Sequence, residues 1–428
     1  MSLSGSPLSR RERLKRATIP VEGPIRTLTK VTLTNTIGNG LFATIEAIFF
    51  TRSVGLSNHQ VALGLGIAAV AGLLVSVPAG HLADRRGPRE LSVLFVLLQG
   101  ASMAAFAIVH TFSAFIVVAV AASLFRSAGG SASMALISRF GEGEERVRIR
   151  AFQRSVANLG MSFGMGIAAI ALAMDTRTAY VAMVLGNGAS YFVAAIFIMQ
   201  FPAMPPIAPA NGGKRPSGFV ALLDRHFLVA TALGGLMSMQ FAVQNIGVPL
   251  WIVQHTQAPR WWVAVVFLVN TVSVVLLQVR FTKGTGDLAF SARVFRRSGL
   301  FIGLACVLYS LAEGASPILA CVILVVAAVT DVVGELFGSA AGWAISFGMA
   351  IEGMQGQYQG VYSLSFGIAN IFGPLIVTST ALAMGRPGWW VLGALFVATG
   401  LAYPPLIRSH LRERASQERS QDQNVISE

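Results

Sequence analysis

Apolar runs long enough to cross a lipid bilayer fill most of this chain of 428 residues. A membrane-spanning helix needs about 20 mostly apolar residues, and runs of that length recur between short polar connections. Because the interior of a bilayer offers no partner for backbone polar groups, such runs must fold as helices. Twelve spans are predicted, at residues 31–51, 60–82, 89–110, 113–138, 152–173, 179–201, 227–252, 261–280, 295–312, 317–340, 359–384 and 388–408.

The composition supports a multi-pass membrane protein. Only 12% of the residues are charged, whereas a soluble domain carries about 25%. The net charge of +13 would suggest nucleic-acid binding in a soluble protein, but in a membrane protein the positive residues set orientation. Cys306 and Cys321 lie in apolar runs, where packing is the expected role, so neither a disulfide nor a metal site is predicted.

The distribution of lysine and arginine predicts the orientation. Twenty-seven of the 32 Lys and Arg residues fall in the two tails and in the connections on one side of the predicted spans. Positive residues concentrate on the cytoplasmic side of membrane proteins. Both termini are therefore predicted to be cytoplasmic, in what we expect to be the cell membrane.

A polar segment rich in Pro and Gly divides the spans into two groups of six, which suggests an internal repeat of the kind found in secondary transporters. The fold class predicted is an all-α membrane protein with two pseudo-symmetric six-helix bundles. The predicted parts are a basic N-terminal tail (1–30), a first bundle (31–202), a cytoplasmic linker (203–226), a second bundle (227–408) and a C-terminal tail (409–428).

The connection after the second span, GHLADRRGPRE at residues 80–90, carries the most specific local pattern. Gly87 gives the backbone the freedom that a tight turn needs. The Asp84 carboxylate can cap the N-terminus of a helix in the other bundle, where the helix dipole is positive. Span 11 starts on the same side, so Asp84 is predicted to join the halves. The alternative is that the neighbouring arginines only anchor the orientation.

This connection resembles the loop signature of the major facilitator superfamily. Arg126 followed by Gly130 resembles a second signature, found in the proton-coupled drug-exporting branches. The resemblance implies two six-helix bundles, alternating access, and a central cavity lined by the first and fourth helices of each half. It assigns conformational gating to Gly80, Asp84, Arg85, Gly87 and Arg89, which stand at the matching positions.

Away from the span ends, four charged residues fall inside the predicted spans: Glu46, Arg126, Asp331 and Glu335. A charge in the bilayer is costly, so such residues are functional candidates. Arg126 and Asp331 lie at near-equivalent depths in spans 4 and 10, and we expect them to face each other. Burial favours the protonated form of the carboxylates, so proton coupling is predicted for this set. A fixed salt bridge without a transport role is the alternative.

Asn35 and Asn39 share a face of span 1 with Glu46, and Gln240 and Gln244 share a face of span 7. Amides recur on spans 1 and 7, which are equivalent in the repeat, and could bind a substrate or hold helices together. Together with two residues of span 4, they form the predicted substrate cavity: Asn35, Asn39, Gly130, Met134, Gln240, Gln244 and Asn245.

These features predict a secondary active transporter, with proton-coupled efflux of small amphiphilic molecules as the first hypothesis. An uptake carrier for a sugar, organic acid or amino acid is the alternative, and a receptor or scaffold without transport activity is a third. No nucleophile–base set, nucleotide-binding loop or metal spacing is apparent, so we expect neither an enzyme nor a cofactor. The expected partners are a small molecule, protons and the bilayer, and the chain is expected to act as a monomer.

Overall fold

The structure is a computed structural model that describes residues 23–205 and 219–427. Most of the predicted N-terminal tail and the centre of the predicted linker lie outside the described residues. The described chain is all-helical. Its helices are α1 Gly23–Ile48, α2 Asn58–Arg86, α3 Pro88–Ala105, α4 Phe112–Ile137, α5 Gly143–Met174, α6 Arg177–Met199, α7 Arg225–His255, α8 Trp262–Leu277, α9 Leu288–Leu311, α10 Pro317–Gly348, α11 Gln355–Val377 and α12 Arg386–Ser427.

Each predicted span corresponds to one of these helices. Ten of the helices in the described chain are long and apolar enough to cross a membrane. The shorter apolar helix α8 and the more polar α1 complete the set of twelve. The predicted fold class is therefore confirmed.

Polar residues placed just before the apolar runs start several helices. Ser57 accepts a hydrogen bond from the backbone N–H of Gln60, whose side chain accepts one in return, which is a capping box at the start of α2. Asp224 and Asp287 cap α7 and α9: the side chain of each accepts a hydrogen bond from a backbone N–H group of the first turn. The two aspartates therefore have defined roles as helix caps.

Two of the errors in the predicted boundaries concern helix starts that carry arginine. Helix α5 begins at Gly143 instead of residue 152, and α9 begins at Leu288 instead of residue 295. An apolar window excludes the charged first turns. The helix nevertheless continues through them, because long basic side chains can bury their stems and keep their charged heads in polar surroundings.

The two halves repeat the same packing. In the first half, α1 packs against α5 and α6, α4 against α2 and α3, and α3 against α6. In the second half, α7 packs against α11 and α12, α10 against α8 and α9, and α9 against α12. These are the same five pairings with helix numbers raised by six, so the halves are pseudo-symmetric.

Within the described chain, the halves join mainly through four helix pairs: α2–α11, α4–α11, α5–α10 and α5–α8. The named contacts of α2 with α11 and of α5 with α10 lie towards one end of the bundle, which also holds Arg85, Arg89 and Lys283 and is called the basic end below. Small residues let α2 and α11 approach closely. A Cβ atom on Gly80 would lie 2.0 Å from the carbonyl oxygen of Gly356.

Candidate functional site

Asp84, on the last turn of α2, connects the halves at the basic end. Its two carboxylate oxygens accept hydrogen bonds from the backbone N–H groups of Gly356 at 2.7 Å and Gln357 at 2.8 Å. Both N–H groups belong to the first turn of α11, where they have no partner within the helix and where the helix dipole favours a negative charge. Asp84 therefore lies at the N-terminus predicted for it.

Arg89 and Gly87, in the same connection, act within the first half. Arg89 donates to the backbone oxygen of Met199 at 2.6 Å and pairs with Glu90 at 3.1 Å, so it ties the start of α3 to the end of α6. Gly87 has φ of 99°, in the region that favours glycine. Arg85 is exposed.

Helices α5 and α10 meet through arginines stacked on aromatic rings. The guanidinium of Arg146 lies 5.6 Å from the ring centroid of Phe347, and that of Arg150 lies 5.5 Å from Trp343. Arg154 contacts the same Trp343 ring at 5.9 Å. Residues four apart share a helix face, so the spacing of these arginines was a signal in the sequence. It was missed because Arg146 and Arg150 precede the predicted span 152–173, and Arg154, at its start, was counted with the preceding connection.

Arg154 also forms an ion pair across the two halves. Its guanidinium donates to the carboxylate of Glu335 and to the hydroxyl of Ser339, both on α10. Glu335 is 1% exposed. A buried carboxylate of one half is therefore held by an arginine of the other.

Asp331 and Glu335 lie one turn apart and share the side chain of Gln244. Its amide nitrogen donates to Asp331 at 2.9 Å and to Glu335 at 2.8 Å. Gln244 lies in a π-helical turn, Val243–Gly247, of the kind that often marks functional sites. Asn270 on α8 donates to Glu335 at 2.7 Å. The structure thus brings together three residues predicted for the site and adds Arg154 and Asn270, which were not predicted.

A cavity of about 570 Å³ opens beside these acids, between α5, α7, α8 and α10. We call it the C-half cavity. Its wall combines the charged cluster with apolar side chains such as Met165 and Phe267. A smaller cavity of about 280 Å³ towards the basic end shares Arg154 and Phe241 with it and contains Gln240.

A second cavity, of about 410 Å³, lies between helices of the first half and is called the N-half cavity. Glu46 and Arg126 both line it. The hydroxyl of Tyr191 donates to Asn39 at 2.6 Å and accepts from the amide of Gln99 at 2.7 Å, which forms a polar wall.

Arg126 and Asp331 do not face each other in one site. Arg126 lines the N-half cavity and Asp331 lines the C-half cavity, and the arginine beside the acids is Arg154. The reason is that equivalent positions in a repeat place each side chain in the wall of its own half. Three further predicted cavity residues, Asn35, Gly130 and Met134, are not among the residues that line these three cavities, and the Asn245 amide donates to the Phe241 backbone within α7.

Twelve helices in two repeated halves, with buried charges beside the cavities, are the architecture of a membrane transporter. A family model agrees over most of the chain: residues 31–374 match the Major Facilitator Superfamily, and the protein belongs to that family.

Individual relatives are distant. The chain is similar to the uncharacterized MFS-type transporter YhjO of Bacillus subtilis (strain 168), with 23% identity over 79% of this chain and 82% of the relative. Among solved structures, a bacterial homologue of the iron transporter ferroportin in an outward-facing state gives a TM-score of 0.69 at 13% identity, covering 90% of this chain and 98% of that one. The human organic anion transporter MFSD10 gives 0.66 at 17% identity, covering 89% and 99%.

Proposed function

We propose that this protein is a proton-coupled secondary transporter that exports small amphiphilic molecules across the cell membrane, with its basic end in the cytoplasm. The observation that carries the proposal is the ion pair between Arg154 of one half and Glu335 of the other. The pair lies in the wall of the C-half cavity. A proton that binds there therefore acts on a substrate site and on a contact between the halves at the same time.

The coupling follows from the charge on Glu335. While Glu335 is ionised, it attracts Arg154 and helps to hold α5 against α10. Protonation removes that attraction but leaves the hydrogen-bonding capacity of the carboxyl group towards Gln244 and Asn270. A ligand or proton shifts a two-state equilibrium by its difference in affinity for the two states. Protonation should therefore favour separation of the halves at the cytoplasmic end.

The direction of access fits this scheme. Asp84 and the arginines of α5 join the halves at the basic end, which the scheme places in the cytoplasm. The cavities lie farther along the same helices, towards the opposite end. We therefore interpret this conformation as closed to the cytoplasm, with Asp84 as a gating residue.

The lining of the C-half cavity favours an amphiphilic substrate. Phe241, Phe267 and Met165 offer apolar surface, and methionine adapts to ligands of different shape. The acids give this surface a polar side where a basic group would compete with a proton. Such competition is the requirement of antiport. Glu46, which lines the N-half cavity, is the second candidate site for a proton.

The C-half cavity also has features that suit an uptake carrier. Asn158, Gln244, Asn245 and Asn270 line it, and a cluster of amides suits a small polar metabolite with several hydroxyl groups. Proton-driven uptake and proton-driven export differ in the sign of the coupled fluxes, so one experiment separates them.

The test is transport by the purified protein in proteoliposomes under an imposed pH gradient, with a panel of amphiphilic compounds and small polar metabolites. Export predicts that an amphiphile moves against the proton flux, and that Glu335→Gln transports it at a rate independent of the gradient. Glu142→Gln, which removes an exposed acid, is the matched control and should behave like the wild type. Cotransport of a metabolite with protons would support uptake instead. Gradient dependence that persists in Glu335→Gln would contradict the proposed coupling site.

A further inference from the structure

Arg126 and Arg154 lie in different surroundings, although both are within membrane-spanning helices. Arg154 is engaged by Glu335 and Ser339. Arg126 is exposed and lines the N-half cavity, and within residues 23–205 and 219–427 no ion pair or hydrogen bond engages its guanidinium. An arginine at this depth is costly unless a partner or water satisfies it. A charge kept available in a cavity is therefore a candidate for recognition of a ligand.

Three of the other polar groups in this wall bind one another. Asn39, Tyr191 and Gln99 form a connected chain of hydrogen bonds. Glu46 lies in the same cavity but forms no ion pair with Arg126 in the described part of the chain. Among the described residues that line the cavity, Arg126 is the one cationic side chain, and its guanidinium offers five N–H donors.

The remaining wall is apolar. Phe42, Leu65, Met103 and Phe106 line it, and its volume of about 410 Å³ is in the range of small-molecule sites. A planar guanidinium matches a carboxylate through two parallel hydrogen bonds. The cavity therefore suits a carboxylate attached to a small ring or a short branched chain.

We infer that the N-half cavity binds the carboxylate group of the transported molecule through Arg126. The inference rests on the proposed transport function and adds a substrate class to it: small amphiphilic carboxylates. The N-half cavity adjoins the C-half cavity, because Met161 lines both. A molecule held at Arg126 can therefore extend its other end towards the acids of α10. The Glu46 carboxylate, when ionised, repels the carboxylate of the bound molecule and so limits the affinity of the site.

The test is binding to the purified full-length protein, measured by the ligand-induced shift of its thermal unfolding midpoint. The probes are three carboxylates, benzoate, 3-phenylpropionate and hexanoate, each paired with its primary amide. At least one carboxylate should bind about tenfold more tightly than its amide, because the amide loses the charge-assisted pair. Arg126→Gln should abolish that preference, and Glu46→Gln should increase it. Arg177→Gln, which removes an exposed arginine at the start of α6, should leave it unchanged.

Arg126→Lys keeps the positive charge without the planar fork, so it should retain a weakened preference and serves if Arg126→Gln does not fold. The inference is overturned if no carboxylate binds better than its amide, or if the preference survives in both Arg126 variants. Proton-driven transport of neutral or basic amphiphiles by the same preparation would then leave the proposed function standing. If proton-driven transport is absent but the carboxylate preference is present, the proposed function fails and the carboxylate site at Arg126 stands.

Discussion

Two contacts join the halves of this transporter at the basic end, and they use different chemistry. Helices α2 and α11 meet through glycines and through Asp84, which binds backbone N–H groups. Helices α5 and α10 meet through side chains: arginines on aromatic rings, and Arg154 on Glu335. The first contact depends mainly on how closely two backbones approach. The second depends on the charge of a buried carboxylate.

The difference suggests a division of roles between the contacts. A backbone contact has much the same strength whatever occupies the cavity. The Arg154–Glu335 contact borders the C-half cavity, so a proton or a substrate can change it. We therefore assign proton sensitivity to the α5–α10 contact and expect α2–α11 to add a steady preference for the conformation in which the basic end is closed.

The largest effect is expected from Glu335→Ala. The change leaves the half-buried Arg154 without its counter-charge, and breaking a buried pair costs up to about 3–5 kcal/mol. The double variant Arg154→Leu/Glu335→Leu should recover most of this loss, because apolar replacement of a buried pair is often neutral, yet its transport should ignore the pH gradient. The free energy of unfolding in mild detergent measures the first effect. A loss below about 1 kcal/mol for the single variant would put the pair among weak, exposed ion pairs.

A smaller effect is expected from Gly80→Ala. The new Cβ atom would lie 2.0 Å from a backbone oxygen of α11, so the helices must separate, and overpacking costs about 1–3 kcal/mol. Gly66 lies on the same helix at a point where an added Cβ atom would meet nothing within 4 Å, so Gly66→Ala is the matched control. A cysteine introduced between the halves at the basic end should become more accessible to a thiol reagent in Gly80→Ala but not in Gly66→Ala. Equal accessibility in the two variants would contradict the idea that the close approach of α2 and α11 holds the basic end closed.

The smallest of the three effects is expected from Asp84→Asn. The amide still accepts a hydrogen bond but lacks the charge that favours a helix N-terminus, a contribution of about 0.3–1 kcal/mol and up to about 2 kcal/mol in partly buried sites. We expect the variant to insert normally and to transport slowly while keeping its dependence on the pH gradient. Loss of that dependence would mean that proton sensitivity is not confined to α5–α10.

The sequence predicted the parts of the site that depend on local pattern. Apolar length located all twelve helices, and motif position placed Asp84 beside the start of α11. Asp331, Glu335 and Gln244 were selected as polar residues within apolar runs. Arg154 was missed because a basic residue at the edge of an apolar run looks the same whether it lies in a loop or in a helix. Its partner, Glu335, is 181 positions away in the sequence. A local hydrophobic periodicity does not predict contacts between residues so far apart.

The pairing of Arg126 with Asp331 failed for a related reason. The repeat correctly gave equivalent depths in α4 and α10, but depth does not determine which cavity a side chain faces. The partner of the acids came from α5, through a contact between halves that lies outside the internal symmetry of either half.

The most direct test of this proton coupling is the distance between the halves at the basic end as a function of pH. Spin labels at Glu145→Cys and Glu352→Cys occupy exposed positions on opposite halves, in a protein with Cys306 and Cys321 replaced by alanine. Electron–electron double resonance measures the distribution of distances between the two labels. We expect a short distance at high pH, a growing population of longer distances as the pH falls, and the longer distances already at high pH in Glu335→Gln. A distribution that stays the same across pH and in Glu335→Gln would contradict the claim that a proton on Glu335 opens this contact.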